Sequence, residues 1–255
     1  MAFTVHAVMP GVWHIVDCMG VCMTLLEGEN AAMLVDTGYG IEDVADFMRH
    51  MTDLPLTVFL THNHHDHAMG ARCFPETYML EADMADWCMF TNDEMRRRVL
   101  TQAIGKNLPV DEKTFLAGEI PLPKVMKPGV IDLGGLTAEI IEAPGHTPGS
   151  AVVYVPERKL LLSGDDWNPC TWLFFPQALG LREYRSNMRG IQQLPFEKVL
   201  CPHRETLYDR WMFDDFFNAL TDGNLRAAEP VNIAPYEQID TCQATLPHDQ
   251  VLVFD

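Results

Sequence analysis

The 255-residue sequence predicts an α/β (α+β) protein in which two β-sheets pack face to face with helices outside. Strand candidates and helix candidates occur in two successive blocks, each with its strands first. Several apolar strand candidates end in loops that carry histidine or aspartate, and such strand ends are where layered α/β folds build their sites. We expect a single domain over residues 1–255, because the apolar content is even and no linker or repeat interrupts it.

The first block opens with an antiparallel meander and continues with a helix and a further strand. The helix is predicted over residues 41–51, where apolar residues recur at helical spacing. Asp36 stands at a strand end beside glycines, where an Asx turn in its own loop is the favoured role and a contact with a nearby site is the alternative. Apolar and β-branched runs predict the strands at residues 12–17, 21–26, 31–35 and 56–60.

The segment after the last of these strands is dense in metal-ligand side chains. Four histidines and one aspartate fall within the six residues from His62 to His67. Because side chains alternate along an extended segment, His64 points to the same side as His62, and Asn63 and His65 point to the other. Imidazole and carboxylate groups at this spacing suit divalent transition metals.

The middle of the chain gives weaker signals. We expect a short strand over residues 77–80, helical pieces up to about residue 106, and extended or loop structure over residues 107–130, which carry four prolines. The basic run Met95–Arg98 favours a solvated helix face over an anion contact.

The second block is again rich in strands and supplies three more polar residues at strand ends. Strands are predicted at residues 129–133, 136–141, 151–155 and 160–162, an amphipathic helix at 208–223, and extended structure at 229–255. His146 lies in a Pro-Gly-His-Thr-Pro-Gly loop, Asp165 follows an apolar strand and a glycine, and His203 follows another apolar strand. Each of these three residues, taken singly, would more often have a structural role. Together with the 62–67 cluster they predict a metal site.

Composition limits the partners of the protein. Its 36 acidic and 18 basic residues give a net charge of −18, which opposes general binding to nucleic acid or to anionic membranes. The seven cysteines contain no Cys-x-x-Cys pair, the N-terminus has no signal-peptide pattern, and no apolar run is long enough to span a bilayer. We therefore expect reduced, mostly buried thiols in a cytoplasmic protein.

In these residues the chain resembles the metallo-β-lactamase superfamily. The motifs are Asp36, the His-x-His-x-Asp-His run, the Pro-Gly-His-Thr-Pro-Gly loop, the Ser-Gly-Asp turn and the last histidine. The resemblance implies a four-layer αββα sandwich with a two-metal site at one edge. It implies that Asp36 orients ligands, that Asn63 and His65 are not ligands, and that the metal ligands are His62, His64 and His146 for one ion, Asp66, His67 and His203 for the other, and Asp165 bridging both.

The sequence departs from the family pattern at two places. His203 lies in Cys201-Pro202-His203-Arg204, where the family has a Pro-Gly-His-Gly-like loop. Asp165 is followed by a second aspartate, Asp166, and we assign the bridge to Asp165 because it directly follows the glycine.

This ligand set predicts a dinuclear hydrolase. Two ions, zinc by default with iron or manganese left open by the nitrogen and oxygen donors, would share a hydroxide that is nucleophilic at neutral pH. We assign catalytic roles to Asp66, which would position that hydroxide, and to Asp36. The expected substrate is a small ester, thioester or lactone with an apolar part. Substrate contacts are predicted for Trp167, Asn168, Trp172, Phe174, Tyr39 and Met69, with ordinary core packing as the alternative for the aromatic segment 167–176.

Other functions have less support. An iron-dependent redox enzyme of the persulfide dioxygenase kind would leave His67 and His203 without a clear purpose, and the negative charge weighs against a phosphodiesterase. Quorum-lactone hydrolases resemble one another in a tyrosine where this chain has Asn168. Glyoxalase II would need a basic C-terminal segment suited to glutathione, and β-lactamases generally lack the bridging aspartate. A non-catalytic binding module is disfavoured because no ligand has been lost. A homodimer is left open, because strand 251–254 would favour one if exposed, whereas packing on its own sheet is the expected case.

Overall fold

The computed structural model describes residues 3–255. Met1 and Ala2, which the predictions of a single domain and of no signal peptide include, lie outside the described residues. The helices are α1 (Val44–Met51), α2 (His65–Ala68), α3 (Trp87–Thr91), α4 (Asp93–Gly105), α5 (Glu112–Phe115), α6 (Leu181–Ile191), α7 (Arg210–Ala219) and α8 (Asp222–Arg226). The strands are β1 (Thr4–Met9), β2 (Val12–Val16), β3 (Cys22–Glu27), β4 (Ala32–Val35), β5 (Leu56–Phe59), β6 (Tyr78–Met79), β7 (Lys124–Val125), β8 (Gly129–Asp132), β9 (Thr137–Glu142), β10 (Ala151–Val155), β11 (Leu160–Leu162), β12 (Cys170–Leu173), β13 (Lys198–Leu200), β14 (Tyr208–Asp209), β15 (Glu229–Val231), β16 (Thr241–Leu246) and β17 (Gln250–Phe254).

Two large sheets form the centre of the molecule. The first has the order β1-β2-β3-β4-β5-β6-β7, antiparallel up to β4 and parallel from β4 onward. The second has the order β14-β13-β11-β10-β9-β8. Their facing sides share one apolar core, to which the first sheet contributes Met33 and Phe59 and the second contributes Ile140 and Val153. The two sheets therefore pack face to face, as the strand blocks predicted.

Helices cover the outer faces of both sheets. On the first sheet, Val44 and Met48 of α1 pack against Leu34 and Val58. On the second, Tyr184 and Met188 of α6 and Phe213 of α7 pack in a cluster with Val152 and Leu161. Burying the apolar stripe of each helix against a sheet gives the layer order helix, sheet, sheet, helix. The predicted αββα sandwich is thus confirmed.

A third sheet was not predicted. Its order is β12-β17-β16-β15, and it packs through Leu252 and Ala244 into the cluster that α6 and α7 form on the second sheet. Strand β17 pairs in parallel with β12 on one side and antiparallel with β16 on the other. The C-terminal strand therefore packs on its own sheet with both edges paired, which was the expected case.

Local capping explains where the helices differ from their predicted limits. Helix α1 begins at Val44 instead of residue 41, because the Asp43 side chain accepts a hydrogen bond from the Asp46 backbone N–H at 2.9 Å. The helix predicted over residues 208–223 ends at Ala219, and Thr221 then caps the new helix α8. Strand β1 and helix α6 were missed, as was helix α5 within the segment expected to be extended or loop.

The cysteines are all unpaired, as expected. Cys22 and Cys201 are buried, Cys88 is exposed, and the other four are half-buried. The expectation of mostly buried thiols is therefore wrong. Among residues 3–255, no helix combines the length and the apolar character needed to cross a bilayer.

Candidate metal centre

The predicted ligands come from loops that follow strands. His62 and His64 follow β5, and Asp66 and His67 belong to the short helix α2 directly after them. The loop between β9 and β10 supplies His146, the turn after β11 supplies Asp165, and the loop after β13 supplies His203. Strands β4 and β5 run parallel to each other, as do β11 and β13, so within each sheet the carboxyl ends of the pair lie side by side. The donor atoms that follow these strands meet across the two sheets, so both sets of ends lie at one edge of the sandwich.

These side chains converge into three overlapping groups of donor atoms. The donor atoms within each group lie within 4.8 Å of one another, and the groups are His62, His64 and His146, then His62, His67 and Asp165, then Asp66, His67 and His203. The Asp165 carboxylate lies between them, with Oδ2 3.1 Å from His203 Nε2 and 3.6 Å from His146 Nε2, and Oδ1 3.5 Å from His67 Nε2. One carboxylate thus reaches both sides of the site.

Unpaired buried atoms show that this arrangement fits a metal. His62 Nε2, His67 Nε2 and Asp165 Oδ1 are buried and have no hydrogen-bond partner among the described residues. Buried polar atoms nearly always have a partner, so three such atoms turned toward one point indicate a missing ligand. Imidazole nitrogen and carboxylate oxygen are donors for a divalent metal, and these groups contain no thiolate.

Asp36 fixes the orientation of two of the imidazoles. Its carboxylate accepts hydrogen bonds from the Thr61 backbone N–H at 2.7 Å and from His67 Nδ1–H at 3.0 Å. The Thr61 hydroxyl also donates to Asp36, so it is free to accept from the Nδ1–H of His62, 3.0 Å away. Both imidazoles are thereby held with Nε2 facing the site. Asp36 acts through other residues, so it is a positioning residue.

His146 and His64 are oriented by groups outside the 62–67 cluster. His146 Nδ1 lies 2.7 Å from the carbonyl oxygen of Trp172, so it carries the proton and leaves the Nε2 lone pair to the site. His64 is turned the other way, with Nδ1 2.9 Å from His146 Nε2 and Nε2 2.9 Å from the Gln177 amide. Gln177 Oε1 lacks a partner within residues 3–255, so an amide turned with this oxygen toward His64 accepts the Nε2 proton and frees the Nδ1 lone pair. Nothing in the sequence marked Gln177.

Electrostatics separates the histidines into two kinds. Burial, together with neighbouring imidazoles, holds the pKa of His62 and His64 well below its ordinary value, so both stay neutral with a lone pair available. His67 differs, because the nearby carboxylates, Asp165 foremost, raise its pKa well above the ordinary value despite its burial. Against the effect of its own burial, the imidazoles around Asp66 lower the pKa of that carboxyl to about 2. The site therefore presents ionised carboxylates beside the neutral imidazoles of His62 and His64 and the protonated imidazole of His67.

The two consecutive aspartates have different surroundings. Asp165 faces the histidines, whereas Asp166 turns away and accepts the backbone N–H of His146 at 2.9 Å. A Cβ on Gly145 would lie 2.6 Å from Asp166 Oδ1, so this approach requires glycine. Burial raises the pKa of Asp166 well above its ordinary value. Asp166 thus supports the loop that presents His146, and Asp165 alone of the two points into the site.

The loop around His203 is held by the first sheet. The Cys22 backbone N–H donates to the carbonyl oxygen of Pro202 at 2.7 Å, and His14 Nε2 lies 3.0 Å from the carbonyl oxygen of Arg204. These contacts bracket His203 on both sides. The departure from the family loop therefore still brings the imidazole within reach of Asp165 and Asp66.

A buried carboxylate that the sequence did not mark joins two of the ligand loops. Asp83 accepts hydrogen bonds from the Thr147 hydroxyl at 2.7 Å and the Gly149 N–H at 2.6 Å, both beside His146. It also accepts the Asn63 N–H at 3.2 Å, between His62 and His64. A Cβ on Gly149 would lie 2.7 Å from this side chain, so glycine is needed there. Asp83 therefore ties the 62–64 segment to the 146–149 loop.

A cavity of about 350 Å³ opens onto the site. Of the predicted substrate contacts, Tyr39, Asn168 and Trp172 line it. The other three do not. Trp167 packs in the core cluster of α6 and α7, Phe174 is buried against the rings of Trp172 and Phe175, and Met69 is buried in the cluster with Leu60. Alternation along β12 accounts for part of this, since it turns Cys170 and Trp172 to the cavity and Thr171 and Leu173 inward. Phe175 from the same aromatic segment lines the cavity too, and Phe90 and Tyr236, which are distant in sequence, complete the wall.

Replacing Trp167 by alanine should lower stability and leave substrate affinity nearly unchanged. The indole is fully buried, lies 5.4 Å from the Tyr208 ring and 5.6 Å from the Phe213 ring, and donates its N–H to Gln250 at 3.2 Å. Loss of a buried Trp side chain costs about 3–5 kcal/mol. Denaturant unfolding would measure the loss. A large rise in KM at unchanged stability would show instead that Trp167 contacts the substrate.

Comparison with known proteins gives the family of the chain. The model of the metallo-beta-lactamase superfamily matches residues 16–203, which include every predicted ligand, and the chain belongs to this superfamily. It is 26% identical over 200 residues to the acyl-coenzyme A thioesterase MBLAC2 of Gallus gallus, covering 70% of each chain. It is 26% identical over 153 residues to a hydroxyacylglutathione hydrolase of Bartonella tribocorum, covering 59% of this chain and 49% of the relative. The metallo-beta-lactamase family protein TTHA1429 of Thermus thermophilus superimposes with a TM-score of 0.61 at 18% identity, covering 87% of this chain and 82% of that one.

Proposed function

We propose that the protein is a dinuclear metal-dependent hydrolase of thioesters that carry an apolar acyl group. The observation that carries the proposal is the position of Asp165, a single carboxylate between two groups of imidazoles. One buried nitrogen in each group, His62 Nε2 and His67 Nε2, lacks a partner within the described chain. Support for the thioester comes from the relatives, one named an acyl-coenzyme A thioesterase and one a hydroxyacylglutathione hydrolase.

The proposed metal ligands are the seven predicted residues. His62, His64 and His146 would hold one ion, Asp66, His67 and His203 the other, and Asp165 both. Bound divalent ions supply Lewis acidity, which lowers the pKa of water and polarises a carbonyl oxygen. Zinc, iron and manganese all accept these nitrogen and oxygen donors, and zinc is the proposed metal.

The chain itself would bind and orient the reactants. Asp66 lines the cavity with its carboxylate partly accessible, so it can accept a hydrogen bond from a water molecule and hold it toward a bound carbonyl. Its low pKa keeps that acceptor ionised at neutral pH. Asp36 and Gln177 fix the imidazoles, and the buried surroundings limit competing water.

The cavity wall suits an apolar acyl group. The Phe90 and Phe175 rings lie 4.4 Å and 4.8 Å from the His64 ring, directly beside the proposed metal ligands. Trp172 and Tyr236 continue this wall. Aromatic faces bury apolar chains with little loss of side-chain entropy, so an acyl group would pack here with its carbonyl at the site.

Turnover of thioesters by the purified, full-length protein tests the proposal. Elemental analysis should give about two equivalents of divalent metal per chain, and chromatography should show release of both thiol and carboxylic acid from acyl-coenzyme A or acyl-glutathione. A chelator should abolish turnover, and added metal should restore it. If the metal-loaded protein instead cleaves only a phosphodiester, or consumes oxygen with a persulfide, the thioesterase proposal is wrong.

A further inference from the structure

The basic run Met95–Arg98 divides into three different environments along α4. Arg96 is 1% exposed, and its guanidinium donates to the carbonyl oxygens of Phe115, Ala117 and Gly118. Arg97 is exposed to solvent, and Arg98 is half-buried in the cavity wall. The expected solvated face therefore describes Arg97 only.

Arg98 lacks an acidic partner. Its Cζ lies 5.4 Å from the centre of the Tyr236 ring, and among residues 3–255 no carboxylate oxygen lies within 4.0 Å of its guanidinium nitrogens. The chain has 36 acidic residues against 18 basic ones, so an arginine without a counter-charge beside the site is informative. A guanidinium has five N–H donors and no acceptor, and here a ligand would be the group that meets them.

Other donors lie on the same part of the cavity wall. Gln102, one turn further along α4, lines the cavity on the same helix face. Arg204 lines it from the loop after β13 and donates to the carbonyl oxygen of His203 at 2.7 Å. Among the described residues, the lining carboxylates are Asp66 and Asp165, which belong to the proposed metal site. The cavity thus has an aromatic part beside His64 and a cationic part at Arg98.

We infer that Arg98 binds an anionic group, a phosphate or a carboxylate, on the thiol half of the thioester substrate, with Gln102 and Arg204 as further donors. The inference rests on the proposed function, since it assigns the anion to a thioester. The planar guanidinium forms paired hydrogen bonds to such groups, and its position over the Tyr236 ring holds the plane at the cavity wall. The acyl group then occupies the aromatic part, and the thioester carbonyl lies between the two.

Binding of non-hydrolysable thioethers tests the anion site separately from catalysis. One alkyl group would be attached to coenzyme A, to glutathione and to the neutral thiol N-acetylcysteamine, and each compound titrated calorimetrically into the metal-loaded protein. Arg98→Ala should weaken the anionic thioethers about 10–100-fold and the neutral one less than about twofold. Added salt should weaken anionic binding to the wild-type protein more than to the variant.

Two further variants control the comparison. Arg97→Ala removes the same charge from the same helix at a position outside the cavity, so its affinities should match those of the wild-type protein. Arg98→Gln keeps most of the side-chain volume without the charge, and it should show the same selective loss of affinity for the anionic thioethers. It replaces Arg98→Ala in the comparison if the alanine variant folds poorly.

The outcomes distinguish the source of the anion and the status of each proposal. Loss of affinity for the coenzyme A thioether alone indicates that Arg98 binds a phosphate. Loss of affinity for the glutathione thioether alone indicates a carboxylate, and either result supports the inference. Equal loss for all three thioethers, loss for none, or no binding to the wild-type protein overturns it. If anion-dependent binding is found but no thioester is hydrolysed, the anion site stands and the thioesterase proposal fails.

Discussion

Replacing Asp165 by asparagine is expected to reduce the bound metal from about two equivalents to about one and to lower thioester turnover by about a thousandfold. The reason is the position of this carboxylate, within 3.1–3.6 Å of nitrogens from His203, His67 and His146. Asparagine has nearly the same shape but removes the negative charge that would attract two cations. Elemental analysis and steady-state kinetics on the same preparation would measure both effects.

The neighbouring residue supplies a matched control. Asp166→Asn makes the same chemical change one position along, at a carboxylate whose raised pKa favours the neutral form. Asparagine retains the oxygen that accepts the His146 N–H, so metal content and turnover should stay near the wild-type values. If Asp165→Asn kept both metal equivalents and full turnover, the assignment of Asp165 as the shared ligand would be wrong.

The fold and the convergence of the candidate ligands were predictable because they depend on local patterns. Apolar strands are recognised by their composition and length, and the polar residues in the loop after each strand lie near the end of that strand. His146 and His203 follow from this rule once the strands are placed, and the structure brings both to the 62–67 cluster. The order of the layers, with two sheets inside and helices outside, followed in turn from the sequence of strands and helices.

Asp36 was named through the resemblance, but Gln177 and Asp83, which also hold these ligands, were not predictable from a local pattern. Gln177 reaches His64 from 113 positions away, and Asp83 reaches Thr147 from 64. The contact of Arg98 with Tyr236 likewise arises only through tertiary packing. Trp167 shows the opposite error, since closeness in sequence to Asp165 suggested a cavity contact that the packing of α7 excludes. Sequence adjacency fixes where the backbone is, and packing decides which side chains face the cavity.

Asp36 illustrates how a local pattern and a distant role differ. Its position at a strand end beside glycines favoured an Asx turn in its own loop. The structure instead gives it hydrogen bonds to Thr61 and His67, 25 and 31 positions away. Parallel pairing of β4 with β5 brings these residues together, so the role follows from the sheet order and not from the turn.

Replacing Asp83 by alanine is expected to cost about 3 kcal/mol or more of stability and to weaken metal binding about 10–100-fold. The carboxylate is buried, and its removal leaves the Asn63 N–H, the Thr147 hydroxyl and the Gly149 N–H without their acceptor. Each unpaired buried donor costs about 1–3 kcal/mol, although Thr147 keeps a contact with Ser150. Denaturant unfolding of the metal-free protein and a metal-affinity titration would measure the two effects independently.

Two companion variants separate the role of Asp83 in joining the 62–64 segment to the 146–149 loop from a general effect of losing an acidic residue. Glu81→Ala removes a carboxylate from the same short helical turn at an exposed position, and it should change neither stability nor metal affinity measurably. Asp83→Asn keeps one acceptor oxygen and should fall between the wild-type protein and Asp83→Ala. Because these two segments carry the imidazoles of one donor group, loss of the Asp83 hydrogen bonds should loosen His62, His64 and His146 together. Wild-type metal affinity in a folded Asp83→Ala protein would show that the loops hold their positions without it.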